Sequence, residues 1–157
     1  MDFTGKTTAE LLTIHAAIME ELRDRKILRS ANNPTGDLAE YLFCSAFGWK
    51  QQGNSTRSYD AIDLAGIKYQ IKGRRIHQRN KSRQLSAIRD LDGFDVLAVV
   101  LFDDDYKVTR AGLIPSARIR EGSSYIAHTN SYRFMARDAV WDVSDVVDVT
   151  VELLAVP

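Results

Sequence analysis

Residues 58–75 read SYDAIDLAGIKYQIKGRR, and the assignment of this stretch decides the fold. Ile67, Tyr69 and Ile71 alternate with Lys68, Gln70 and Lys72, the two-residue period of a strand with one buried face. Gly66 marks a turn before them, so residues 59–64 and 67–72 are expected to pair as an antiparallel hairpin. With the loop spanning residues 64–66, Asp63 faces Ile67 and Asp60 faces Gln70. Strand parity then brings Asp60, Gln70 and Lys72 to one face. A loop one residue longer or shorter sends Asp60 to the other face and favours Asp63 in its place. The grouping is chemically coherent. A carboxylate oxygen and an amide oxygen both ligate a hard cation such as Mg2+, and a neighbouring lysine can orient or help deprotonate an attacking water.

Outward from the hairpin, the chain alternates helical and extended patterns. Thr7-Thr-Ala-Glu10 has the form of a capping box, and Leu11, Leu12, Ile14, Ala17, Ile18 and Leu22 follow at helical spacing, so a first helix is expected at about 7–28. Asn33-Pro34 supplies an N-cap and a first-turn proline for a second helix with Leu38, Tyr41, Leu42 and Ala46 on its apolar stripe, ended by Gly48. Glu40 is the charged exception on that helix. Residues 51–57 read as a polar loop. Residues 94–102 are almost continuously apolar, as in a strand covered on both faces, and 106–114 make a second strand stopped by Pro115. A short helix at 116–120, an ambiguous stretch at 125–134 and a closing helical cap at about 144–154 complete the reading, with no internal repeat or linker.

The chain has 157 residues, enough for one domain whose core buries roughly 70% of the unfolded surface. Its 21 basic and 21 acidic residues cancel, which taken as an average argues against a nucleic-acid partner. The distribution reverses that argument. From Lys68 through Arg83 every charged residue is basic, and the compensating acids come mostly later, at Asp90, Asp92, Asp95, Asp103 to Asp105 and residues 138–152. Within that run Arg74, Arg75, Arg79, Lys81 and Arg83 are the expected phosphate contacts, positioning DNA without reading its sequence. The single cysteine, Cys44, sits in an apolar helical stretch and reads as a small core residue. No apolar leader opens the chain and no run reaches membrane-spanning length, so a cytoplasmic protein without a membrane partner is expected.

Asp60, followed by Gln70-Ile-Lys72 on the next strand, resembles the signature of the PD-(D/E)XK nuclease superfamily in its Gln-containing form, as in Mrr-type restriction endonucleases. The order GDLAEYL, YDAI, YQIKGRR, FDVLAVVLFDDDY and LIPSARI is similar to small bacterial domains of that superfamily, over about residues 34–120. Tyr59 stands where the superfamily name expects proline. The resemblance implies an α/β fold of restriction-endonuclease-like type, a mixed central β-sheet flanked by α-helices. It implies a metal, Mg2+ or Mn2+, held by Asp60, the Gln70 side chain and the Ile71 carbonyl, with Lys72 as the catalytic lysine and Glu40 as an additional acid. The activity implied is hydrolysis of DNA phosphodiesters, and nothing in the sequence separates DNA from RNA. So short a chain covers few base pairs, so cleavage of both strands favours a homodimer.

Each residue also has a plainer reading. Gln-X-Lys arises on any half-exposed strand, Asp60 can initiate a turn, Glu40 can be a solvated helix position, and the basic run can be a solvated loop. The order of all these features along one chain favours the site. The rival class is a catalytically inactive nucleic-acid-binding or accessory module of the same fold, favoured by Gln70 standing where an acid would bind a cation more strongly. Asp103-Asp-Asp105 is read as a polar turn between two strands rather than a second metal site. Phe3-Thr-Gly-Lys-Thr7 lacks the first glycine of a phosphate-binding loop, and His15, His77 and His128 are too dispersed for a zinc pair. No serine stands in a nucleophile-elbow context.

Overall fold

The computed structural model describes residues 1–53 and 58–157. The first helix, α1 (Thr8–Asp24), starts on the expected capping box. Thr7 Oγ1 accepts from the Glu10 N–H at 3.3 Å, and Glu10 Oε2 accepts from the Thr7 N–H at 2.7 Å. It stops four residues short of the expected Leu28. Lys26 adopts a left-handed φ of 62°, and the Ile27 and Leu28 N–H groups turn back onto the Leu22 carbonyl, which seats Leu28 in the interior. Met19 is the buried residue of α1, and Leu11, Leu12 and Ile18 stay exposed.

The second helix, α2 (Pro34–Phe47), follows the sequence reading closely. Asn33 Oδ1 accepts from the Thr35 N–H at 3.1 Å, and Gly48 ends the helix at φ 66°. Its buried Ala39, Leu42 and Phe43 lie on one face of the sheet, where the Phe43 and Trp49 rings stack at 5.8 Å and those of Trp49 and Tyr69 at 3.6 Å.

Among the described residues the central sheet has six strands, β1 (Lys50–Gln51), β2 (Ala61–Ile62), β3 (Lys68–Arg75), β4 (Val96–Phe102), β5 (Val108–Pro115) and β8 (Val147–Asp148), in the order β1-β2-β3-β4-β5-β8. β3 and β4 are parallel and the other neighbours antiparallel, so the sheet is mixed. β4 is covered on both faces, as its apolar run predicts. Ala98, Val100 and Phe102 pack towards α2, while Leu97, Val99 and Leu101 pack against Leu85, Ile88, Phe94, Ile119 and Phe134 on the opposite face. A second, two-stranded sheet joins β6 (Ser124–Ile126) to β7 (Ser131–Arg133) through a 3-10 turn, resolving the ambiguous stretch at 125–134. Helices α3 (Ser116–Gly122), α4 (Asp138–Trp141) and α5 (Thr150–Leu154) complete the elements.

Three expectations are corrected. The polar loop at 51–57 begins with a strand residue, because Lys50 and Gln51 pair with Ile62 and Ala61; residues 54–57 lie outside the described residues. The closing helical cap at about 144–154 shrinks to α5. Val147 and Asp148 instead extend the sheet beside Leu113 and Gly112, and the β-branched valines suit that edge better than a helix. Pro115 ends β5 as a member of it, paired with Val96 and followed directly by α3. The crossover between parallel β3 and β4 also departs from the usual helical connection. Residues 76–95 form no helix, and they cover the sheet through Leu85, Ile88, Leu91 and Phe94. Among the described residues no helix is long and apolar enough to cross a membrane.

Candidate functional site

The hairpin settles which aspartate meets Gln70. Ala61 pairs with Tyr69 and Ile62 with Lys68, and the Asp60 N–H donates to the Tyr69 carbonyl at 2.7 Å, so Asp60 falls beside Gln70. Asp60 Oδ2 accepts from Gln70 Nε2 at 2.5 Å and from the Ile71 N–H at 2.7 Å. Asp63 has a separate duty at the hairpin tip. Its Oδ1 accepts from the Ala65 and Ile67 N–H groups, both at 2.9 Å, and its Oδ2 from the Tyr69 hydroxyl at 3.0 Å. Gly66 sits in that turn at φ 84°, a conformation that glycine adopts without penalty.

Lys72 follows two residues after Gln70 on the same face of β3. Its Nζ donates to the Ala87 carbonyl at 3.2 Å, tying the strand to the crossover segment. Burial pulls the Lys72 ammonium below its ordinary pKa, the charges of Asp60 and Glu40 pull it back up, and Arg89 pushes it down. Asp60 is affected in the opposite sense. Burial raises its carboxyl, against the Ile71 N–H, the Lys72 charge, the Gln70 amide and the charge of Arg29.

Glu40 reaches this cluster from the middle of α2. Its Oε2 accepts from Gln51 Nε2 at 2.6 Å and lies 3.4 Å from Arg29 Nη1. Burial raises the Glu40 carboxyl, and the Asp60 charge adds to that rise; the Gln51 bond and the Arg29 charge oppose it. Arg29 is held in turn. Its own N–H and that of Ser30 donate to Asp37 Oδ2 at 2.8 and 2.7 Å, and its Nη2 reaches the Gln52 carbonyl at 3.1 Å. Ser30, Asp37, Glu40, Tyr59 and Asp60 line a cavity of about 310 Å3 between these elements.

Asp60, Gln70, Lys72 and Glu40 are thus brought into one electrostatic neighbourhood, whereas the basic residues divide. Arg74 and Arg75 line a groove of about 570 Å3 that begins where Lys72 ends. Arg79 and Lys81 are exposed around the bridge between His77 and Asn80, and Arg83 is taken up by Asp138 at 2.6 Å. Arg29, Gln51 and Arg89 belong to the site without having been singled out in the sequence. Arg89 extends the basic run past Arg83 and was within reach of a charge count, but Arg29 and Gln51 reach Glu40 across 11 residues each and left no local signal.

The donor set is compatible with one hard cation. Two carboxylates and an amide oxygen are the oxygen ligands such ions take, and the two carboxyls are held in their less acidic state by burial, which a bound cation would relieve. Among the described residues no group of three or more His, Cys, Asp or Glu is placed to hold a metal. Asp103 acts as a turn residue, its Oδ1 accepting from the Asp105 and Lys107 N–H groups at 2.8 and 3.0 Å. Cys44 packs beside the core, and burial pushes its thiol up to about 11, the reverse of an activated nucleophile. No protein-family model matches the chain, and no curated protein matches it.

Proposed function

We propose that this protein is a divalent-metal-dependent nuclease of the PD-(D/E)XK type, built on a restriction-endonuclease-like core, and that it hydrolyses DNA phosphodiester bonds. The observation that carries this reading is the convergence of Asp60, Gln70, Lys72 and Glu40, with burial acting on all three ionisable members. Ionisable groups of opposite sign, half-buried together in a cleft, carry a desolvation cost and shifted pKa values, the pattern that clusters at functional sites. Asp60, Glu40, the Gln70 amide oxygen and the Ile71 carbonyl would hold Mg2+ or Mn2+. When bound, such an ion supplies positive charge to the phosphoryl transition state and acidifies water. Lys72, its ammonium weakened by burial, orients the attacking water and balances charge developing on the phosphate oxygens. Arg74 and Arg75 anchor flanking phosphates. Cleavage of both strands of a duplex would call for two copies related by a two-fold axis.

A second reading has its own observation. The Asp60 carboxylate is already bonded by Gln70 and Ile71, and Glu40 by Gln51 and Arg29, as in a module that keeps the geometry but not the chemistry. Incubation of labelled DNA with the protein and Mg2+ or Mn2+, beside Asp60→Ala and Lys72→Ala, separates the two. Metal-dependent cleavage lost in both variants while DNA binding persists supports the nuclease; binding without cleavage in the parent protein establishes the accessory module.

A further inference from the structure

We infer that the groove beside Arg74 and Arg75 takes a single nucleic-acid strand along the open edge of β3, so that single-stranded or flap-bearing DNA, rather than an uninterrupted duplex, is what reaches the Asp60 site. The substrate assignment rests on the nuclease reading above; the strand-binding groove does not.

The sheet itself provides the path. β2 pairs with β3 only through Lys68 and Tyr69, and Asp60 Oδ2 then takes the Ile71 N–H in place of a strand partner. Successive residues of a strand point their backbone groups to alternate sides. The odd-numbered residues of β3 face the β2 side, as the bonds from Asp60 N–H to the Tyr69 carbonyl and from Ile71 N–H to Asp60 show. Gly73 and Arg75 continue that side past the end of β2, and the groove runs beside them. Its far wall is firm. The Leu85 N–H donates to the Phe134 carbonyl at 3.0 Å, and Lys72 Nζ holds Ala87, so the path starts at the candidate catalytic lysine.

The lining suits a strand of nucleotides. Arg74 Nε donates to the Ser82 carbonyl at 2.9 Å, which fixes the guanidinium; its two Nη groups have no partner among the described residues and are available to phosphate. Arg75 is anchored on the Asp104 carbonyl through Nε and Nη2, at 3.1 and 2.5 Å, with its Cζ over the Tyr106 ring, 4.6 Å from the ring centre. A guanidinium stacked on an aromatic ring is the kind of platform on which an unpaired base rests, and a basic groove with such platforms is how single strands are held without sequence readout. At about 570 Å3 the groove is of the size that seats a nucleotide or two. An acidic peptide adding to the same strand edge would use the arginines but would leave the Arg75–Tyr106 stack unused.

Fluorescence anisotropy of the full chain in EDTA tests the groove apart from any cleavage. The probes are a labelled oligothymidylate, a duplex of matched length, the same duplex with a single-stranded flap, and an oligoglutamate peptide. The oligothymidylate and the flap substrate are expected to bind at least ~10-fold more tightly than the duplex, and Tyr106→Asn to weaken them by roughly 10-fold. Asn suits the left-handed φ of 60° at this position, so that variant keeps the turn. Arg75→Lys, which keeps the charge but not the plane, should lower single-strand affinity as well, and Arg74→Ala should flatten its salt dependence. Equal or tighter duplex binding, unchanged single-strand affinity in a folded Tyr106→Asn protein, or binding of the oligoglutamate alone overturns the inference. Single-strand preference with no cleavage in Mg2+ or Mn2+ keeps the groove and discards the nuclease; cleavage of duplex and single strand alike keeps the nuclease and discards the strand preference.

Discussion

The hairpin of β2 and β3 carries an aspartate at its base and another at its tip, three residues apart, and the two carboxylates live under opposite conditions. At the tip, Asp63 collects two backbone N–H groups and a tyrosine hydroxyl beside solvent, where Leu64 is fully exposed. Its charge is balanced by the turn that it closes. At the base, Asp60 is half-buried near a second carboxylate and a lysine, and loss of solvent works against its ionised form. The contrast separates a carboxylate that closes a surface turn from one held against its ionised form beside other charges. Hydrogen bonding to backbone at a surface turn stabilises a fold, whereas an ionisable cluster in a cleft costs stability, which is why such clusters concentrate at functional sites.

That contrast can be broken by substitution. The largest effect is expected for Lys72→Ala at the base, which should lower metal-dependent DNA cleavage by roughly 10²- to 10⁴-fold, as loss of a group that handles the proton of an attacking water does. Asp63→Ala at the tip should leave cleavage by the folded protein nearly unchanged; an equal loss in both variants, measured in the same nicking assay, would erase the distinction. Next comes the strand that links the base to the groove. A Cβ at Gly73 would lie 2.8 Å from the Thr35 carbonyl oxygen and 2.9 Å from the Ala39 Cβ, so Gly73→Ala should cost about 1–3 kcal/mol in urea unfolding.

Asp63→Ala should cost about 0.5–2 kcal/mol, the range for losing a side-chain cap on backbone N–H groups. Asp60→Asn should act in the other direction. The folded protein holds the Asp60 carboxyl above its unfolded value, so the parent gains stability as pH falls through the raised value and loses it as pH rises. An isosteric Asn removes the half-buried charge. The variant is therefore expected to be more stable than the parent at neutral pH, with the gap closing in the acid range below the ordinary aspartate pKa; a gap that widens on acidification would contradict the burial argument. The smallest effect belongs to Leu64→Gln, within about 0.5 kcal/mol of the parent, because the side chain touches little in the folded state.

How much of this was legible beforehand follows the range of the interactions. The capping box at Thr7, the Asn33-Pro34 start and Gly48 end of α2, the turn at Gly66 and the polar turn at Asp103 are settled by groups within four residues of each other, and all appear where the pattern places them. The pairing of Asp60 with Gln70 was legible only on condition of a loop length, and the Asp63 bonds to Ala65 and Ile67 are what hold that length. The C-terminal segment departs from its local helical pattern because Val147 finds its partner 34 residues earlier, at Leu113, and a strand edge competes with local helix propensity only once the sheet exists.

The sequence by itself determined the hairpin and the succession of acids and bases along it, since periodicity and turn chemistry act on neighbouring residues; its register was fixed only by the folded turn at Asp63. Tertiary structure alone decided the rest of the site. It brought Arg29 and Gln51 to Glu40, removed Arg83 from the basic set by pairing it with Asp138, and, among the described residues, left the far half of β3 without a strand on one side. The reason is physical: burial and charge pairing depend on which distant surfaces meet, and no local pattern along the chain records them.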